Sequence, residues 1–228
     1  MDRKILLSLL GAALLSFVAV LLLMPEPVDD GVDRRPWQVS LDASGHSLVF
    51  GFVLGRTSLA EVRQVLQEEG ELNLFHHPGA ALPFGAEAYF EQIELERLRA
   101  DMVVTLAVDQ AELSGMYDRG LRISQLGSGA KKVKLDPADA ATRAAAPIRN
   151  ISYLPKARLD PTLIAQRFGQ PARQLREPGS GIEHWLYPER GIDIGLDANG
   201  RAVIQYVNPS DFAGLLNPLS EGGREATS

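Results

Sequence analysis

Hydrophobic positions along this chain follow three spacings. The first is unbroken: residues 5–24 carry no charge, and only Ser8, Gly11 and Ser16 fall outside the hydrophobic set. Coiled as a helix, such a run spans about 30 Å, the hydrocarbon thickness of a bilayer, which predicts one membrane crossing over 5–24. It ends Leu23-Met24-Pro25-Glu26-Pro27, bulky and proline-broken. A cleaved signal peptide has a shorter apolar core and small residues at its end, so an uncleaved signal-anchor is expected. Arg3 and Lys4 precede the run, whereas Glu26, Asp29, Asp30 and Asp33 are the first charges after it. The positive-inside bias then leaves residues 1–4 in the cytoplasm and everything after Met24 outside, in the periplasm of a Gram-negative cell.

The other two spacings, helical and alternating, follow a break. Residues 25–36 hold Pro25, Pro27 and Pro36 among several acids, a composition that resists helix and predicts a spacer, with folding starting near Trp37. Residues 37–42 and 47–54 are rich in β-formers and flank Ala43-Ser44-Gly45, which predicts a hairpin. Ser58 and Glu61 form a capping box ahead of Leu59, Val62, Val65 and Leu66 at helical spacing, and Gly70 stops the pattern. Alternation returns with Leu72 and Leu74 and again over 90–95, and the apolar-rich residues 102–108 suit a buried strand. Asp109 and Glu112 predict a second capping box, with Leu113, Met116 and Tyr117 on one helix face and Gly120 at its end.

Residues 121–147 read as a bridge between two halves. Lys131, Lys132 and Lys134 follow a Gly-Ser-Gly turn and are expected to guard an edge strand. Asp136-Pro137 opens an alanine-rich helix with little to bury. The grammar then repeats, residues 52–66 aligning with 154–168: a strand end, a cap (Ser58, then Asp160) and a helix with an apolar i,i+4 pair, Val62 with Leu66 and Ile164 with Phe168. Strands are predicted at 172–175, 182–187, 191–196 and 201–207, the last two joined by Asp197-Ala198-Asn199-Gly200, a favourable hairpin turn. The expected class is therefore α+β: the membrane helix, the spacer, a first α+β unit at 37–120, the bridge, a second unit at 148–212 with antiparallel sheets and short helices, and a disordered tail at 213–228.

The bearing residues Asp160, Ile164, Phe168, Gly169, Pro171, Trp185, Tyr187, Asp197 and Gly200 stand in the order capped helix, Gly-x-Pro, Trp-x-Tyr strand and closing hairpin. Residues 150–210 thereby resemble the SmpA/OmlA (BamE) outer-membrane assembly module, and residues 48–108 resemble it more distantly. Two such units in tandem are similar to the repeat architecture of the β-lactamase inhibitory protein. The resemblance implies a sheet-and-helix module of the cell envelope.

Composition narrows the chemistry. Asp2, Arg3 and Lys4 carry +1, so of the net −6 everything after the apolar run carries −7, which argues against nucleic acid as a partner. No cysteine is present, which excludes thiol catalysis, thiolate metal sites, disulfides and a lipid anchor. His76-His77, with Glu87 as a possible third ligand, is the one metal candidate, but neighbours on a strand point to opposite faces, and solvated loop histidines are the simpler account. Glu183-His184-Trp185 invites a catalytic reading, yet the period of two places Trp185 and Tyr187 in the core and His184 outside. Gly127-Ser128-Gly129 reads as a turn, and no phosphate loop occurs. No catalytic, cofactor-binding or metal residue is assigned. The expectation is a non-catalytic envelope module, in the inner membrane through 5–24, whose periplasmic part binds another envelope protein. The alternatives are an exported metal-dependent hydrolase using His76 and His77, and a small-molecule or glycan binder that stacks its ligand on Trp and Tyr.

Overall fold

Phe84–Leu95 and Leu98–Leu106 form the longest hairpin, and their alternation sets the plan of the molecule: Ala86, Ala88, Phe90, Met102 and Val104 are buried while Glu87, Tyr89, Val103 and Thr105 face the other way. The computed structural model describes residues 31–80, 82–127, 129–177, 179–220 and 224–225. The expected anchor at 5–24, its flank 1–4 and residues 25–30 of the spacer lie outside these. Among the described residues no helix is long and apolar enough to cross a membrane. The class is α+β, with antiparallel strands and a few short helices.

A small sheet of β1 (Val39–Leu41), β2 (Ser47–Val49) and β3 (Phe52–Val53) comes first. After it run α1 (Leu59–Leu66), β4 (Glu71–His76), β5 (Phe84–Leu95), β6 (Leu98–Leu106), α2 (Gln110–Asp118), β7 (Arg122–Gln125), β8 (Lys131–Lys134) and α3 (Pro137–Thr142). The second half holds β9 (Ile148–Pro155), α4 (Pro161–Phe168), β10 (Arg173–Arg176), β11 (Glu183–Tyr187), β12 (Ile192–Leu196), β13 (Ala202–Tyr206), α5 (Phe212–Ser220) and β14 (Arg224–Glu225). All strands from β4 onward join one sheet in the order β14-β10-β11-β12-β13-β9-β6-β5-β4-β8-β7. Residues of α1, α2 and α4 and of the small sheet share a single apolar core with one face of it.

The two units were expected to carry separate sheets, but from β4 onward their strands form one continuous sheet beside the small β1–β3 sheet. Tyr153 of β9 pairs with Met102 on one side and with Ile204 of β13 on the other, so the halves share a ladder. A helix followed by an antiparallel meander occurs twice, α1 before β4, β5, β6 and β9, and α4 before β10 to β13, with the closing strands β9 and β13 side by side. An edge left at either strand would expose an unpaired ladder.

Four further differences have local causes. Residues 47–54 are not one strand, because Phe50 and Gly51 take φ of +56° and +83° and turn the chain; Phe50 is thereby driven between Tyr153 and Tyr206, with ring centroids 5.1 and 5.4 Å away. Asp109 caps α2 through the Ala111 N–H at 2.8 Å, and Glu112 pairs with Arg143 at 2.8 Å, so the second capping box does not form. Lys131, Lys132 and Lys134 lie on β8, one strand in from the edge, where Lys132 pairs with Glu71 at 3.1 Å. The tail expected at 213–228 starts as α5, since Phe212, Leu215 and Leu216 pack with Leu175, Leu186 and Val207 on the face opposite the main core. The bridge holds β7, β8 and α3, the last of which buries no residue.

Hydrogen bonds with residues 190–207 tie down the start of the fold. The Tyr206 hydroxyl donates to the Pro36 carbonyl (2.8 Å), Arg190 donates to the carbonyls of Trp37 (2.6 Å) and Phe168 (2.8 Å), and the buried Ser47 donates to the Val207 carbonyl (2.9 Å).

Candidate functional site

The paired histidines diverge. His76 lies on the helix-covered face, its ring 4.8 Å from that of Phe84 and 5.2 Å from that of Tyr117, and its buried Nδ1 has no partner. His77 is exposed and borders a hollow of about 300 Å³ with Glu87, Arg149 and Asp211. Burial raises the Glu87 carboxyl pKa against the opposing charge of His77. Among the described residues no three His, Cys, Asp or Glu side chains gather as a metal site.

Trp185 and Tyr187 are each 6% exposed. Both belong to the core, and the Tyr187 hydroxyl donates to the Gly169 carbonyl at 2.9 Å. The expected stacking platform is thus enclosed, whereas Trp37 borders an open cleft.

His184 faces away from Trp185 but is not free. Its Nδ1 lies 2.9 Å from Asp193, and the two side chains are 13% and 4% exposed. Register places His184 opposite Gly195 and Leu186 opposite Asp193, so the pair is diagonal across β11 and β12, and the ring lies against the bare Cα of Gly195. Burial pulls the imidazole pKa down, but the hydrogen bond and charge of Asp193, with the charge of Glu177, outweigh it and the net shift is upward. Nε2 is buried and unpartnered. The hollow of about 610 Å³ that His184 borders is lined by Glu177, Asp197, Arg201 and Gln205 among others, with no Ser, Thr or Cys in its wall. This arrangement can hold a proton and offer one hydrogen bond. The sequence signal for Asp193 was a lone carboxylate between Ile192 and Ile194, which needs a buried partner.

The raised pKa sets a pH dependence. An imidazole near 6.5 unfolded and higher when folded contributes stability that is fully present below about pH 6.5 and is lost as pH rises through the folded value. Urea midpoints measured from about pH 5.5 to 8.5 should therefore fall with pH, and Asp193→Asn should flatten that slope while costing about 2 kcal/mol at the acid end. An unchanged slope in the variant would remove His184 as its source.

β7 is an edge strand of the large sheet. All four of its residues are exposed, and Leu121 and Ile123 are 58% and 50% exposed. Ile123 pairs with the fully buried Val133, so both project on the core face, where Ile123 prolongs the apolar surface past the last covered strand. The Leu126 N–H to Ala130 carbonyl bond (2.8 Å) sets the phase of the ladder, turning the backbone groups of Ile123 and Gln125 outward. The alternation of Leu121 with Ile123 was visible in the chain, but its place at the sheet edge was not. Compared with known proteins, the chain matches no family model, no curated protein and no solved structure.

Proposed function

We propose that this protein is a non-catalytic binding module of the cell envelope, held at the inner membrane by residues 5–24 with its folded part in the periplasm, and that an envelope protein docks on it by adding a strand to β7. The observation that carries this is the edge itself, with which no strand among the described residues pairs: outward backbone groups at Ile123 and Gln125 beside exposed Leu121 and Ile123. Main-chain pairing supplies affinity in such complexes and alternate side chains supply specificity. Natural edges are blunted by lysine, proline or bulges, but here the lysines sit one strand inward, leaving the apolar edge accessible. The likeness of residues 150–210 to the SmpA/OmlA module points to the same compartment.

A photo-crosslinking residue placed at Leu121 in intact cells should yield a reproducible adduct with one envelope protein. Ile123→Lys with Gln125→Pro should abolish it, since proline at an outward N–H blocks augmentation without removing a bond to β8. The double variant should keep its stability within about 0.5 kcal/mol, as exposed positions do. Absence of any adduct, or an adduct indifferent to the double variant, would reject docking at β7.

A further inference from the structure

Away from β7, a cleft of about 700 Å³ opens between α4, the strands β9 and β13, and the tip of the β5–β6 hairpin. Its floor is apolar and buried: Tyr153, Ile164, Phe168 and Ile204. Trp37, Leu98, Leu159 and Leu163 form half-buried walls. This is the size and lining of a site for one small ligand. The rim has the opposite character, because Arg97, Arg99, Lys156 and Arg167 are exposed there against Glu94 alone. A chain of net charge −6 thus gathers four cations and one carboxylate around this apolar opening.

Two of those cations are spoken for, Arg99 by Glu94 at 3.3 Å and Lys156 by Asp101 at 2.6 Å. Arg97 and Arg167 have no ion-pair partner among the described residues, and the Arg167 guanidinium lies over the Trp37 ring, 4.8 Å from its centroid. Arg97 stands in an unfavourable conformation. The hairpin turns through Glu96 and Arg97 at φ of +50° and +63°, where Asn-Gly would be the low-strain choice, and strain of this kind persists where it serves a site. On the floor, Tyr153 is 1% exposed, and burial pushes its hydroxyl pKa up to about 12.

We propose that this cleft binds a long-chain fatty acid, its alkyl chain laid along Trp37, Leu98, Leu163 and Phe168 and its carboxylate held by Arg97 and Arg167. Guanidinium forks suit a carboxylate. Glu94 on the same rim penalises a second negative charge and so favours a monoanionic head over a phosphate dianion. The inference is independent of docking at β7, and either can fail without the other.

The full-length protein in nanodiscs of neutral phosphatidylcholine, exposed to a sixteen-carbon fatty acid carrying a diazirine in its chain, provides the test. Light should label peptides containing Trp37 and residues 159–168, and unlabelled hexadecanoate should compete where hexadecanol does not. Arg97→Gly should cut this labelling about tenfold, as should Arg167→Gln. Because Arg97→Gly relieves a left-handed turn, its thermal midpoint should hold or rise, which separates lost binding from lost folding. Ala157→Trp, which obstructs the cleft and leaves the arginines in place, should also abolish labelling. Label confined to residues 1–30, equal competition by hexadecanol, competition by lysophosphatidylglycerol but not hexadecanoate, or indifference to all three variants would each overturn the proposal.

Discussion

Replacing Gly191 by alanine is expected to destabilise the protein by about 4 kcal/mol or more, a large part of the 5–15 kcal/mol that holds a typical domain folded. Gly191 has φ of +64°, where an L side chain costs about 1–2 kcal/mol. The larger effect is steric: a Cβ would lie 1.9 Å from the Val207 carbonyl oxygen, which is backbone and cannot rotate away. Moving that carbonyl would disturb the Val207 N–H bond to the Gly191 oxygen (2.9 Å) and the Ser47 hydroxyl bond to Val207 (2.9 Å). Gly45→Ala is the control, with φ of +81° and nothing within 4 Å of the added carbon; it should cost only about 1 kcal/mol. Urea midpoints of the two variants check the difference. Similar midpoints would mean that the exit of β13 yields more readily than its hydrogen bonds imply.

Phe50→Ala should cost about 3–5 kcal/mol, the range for emptying a buried aromatic site. Phe50 is fully buried against Tyr153 and Tyr206, and these rings belong to the two strands that join the halves of the sheet. Its φ of +56° gives a second, discriminating outcome. Phe50→Gly should be no worse than Phe50→Ala, the reverse of the ~1 kcal/mol penalty glycine carries within regular elements. Guanidinium denaturation of both variants measures this. A glycine variant clearly weaker than the alanine one would show that packing alone sets the turn.

Local chemistry was readable from the chain. The Ser58 and Glu61 capping box forms as expected, the Glu61 N–H reaching the Ser58 hydroxyl at 3.3 Å and the Ser58 N–H reaching the Glu61 carboxylate at 2.7 Å. Asp160 caps α4 through the Leu163 N–H at 2.8 Å, and Trp185 and Tyr187 face inward while His184 faces the other way. What escaped reading depends on pairings between distant segments. The single sheet rests on β9 meeting both β6 and β13, and no spacing within any of these strands announces its neighbour. Asp193 was visible as an odd carboxylate, but His184 becomes its partner only through the β11–β12 register. The turn at Phe50 contradicts local preference, because tertiary burial outweighs the cost of a positive φ. The cleft draws on the first folded residues, a strained hairpin tip and α4 together, a combination that no single stretch contains.

The tethers from Tyr206 to Pro36 and from Ser47 to Val207 join residues 170 and 160 positions apart. A ribosome produces Phe50, Phe52 and Leu54 early, yet the strand that closes over them is among the last to be made. Residues 36–54, though made early, are therefore among the last to be locked, and a product halted before β13 lacks the groups that hold them in place. Contacts of such long range slow folding. Closure of the core around Phe50 is therefore expected to wait until β13 has been made.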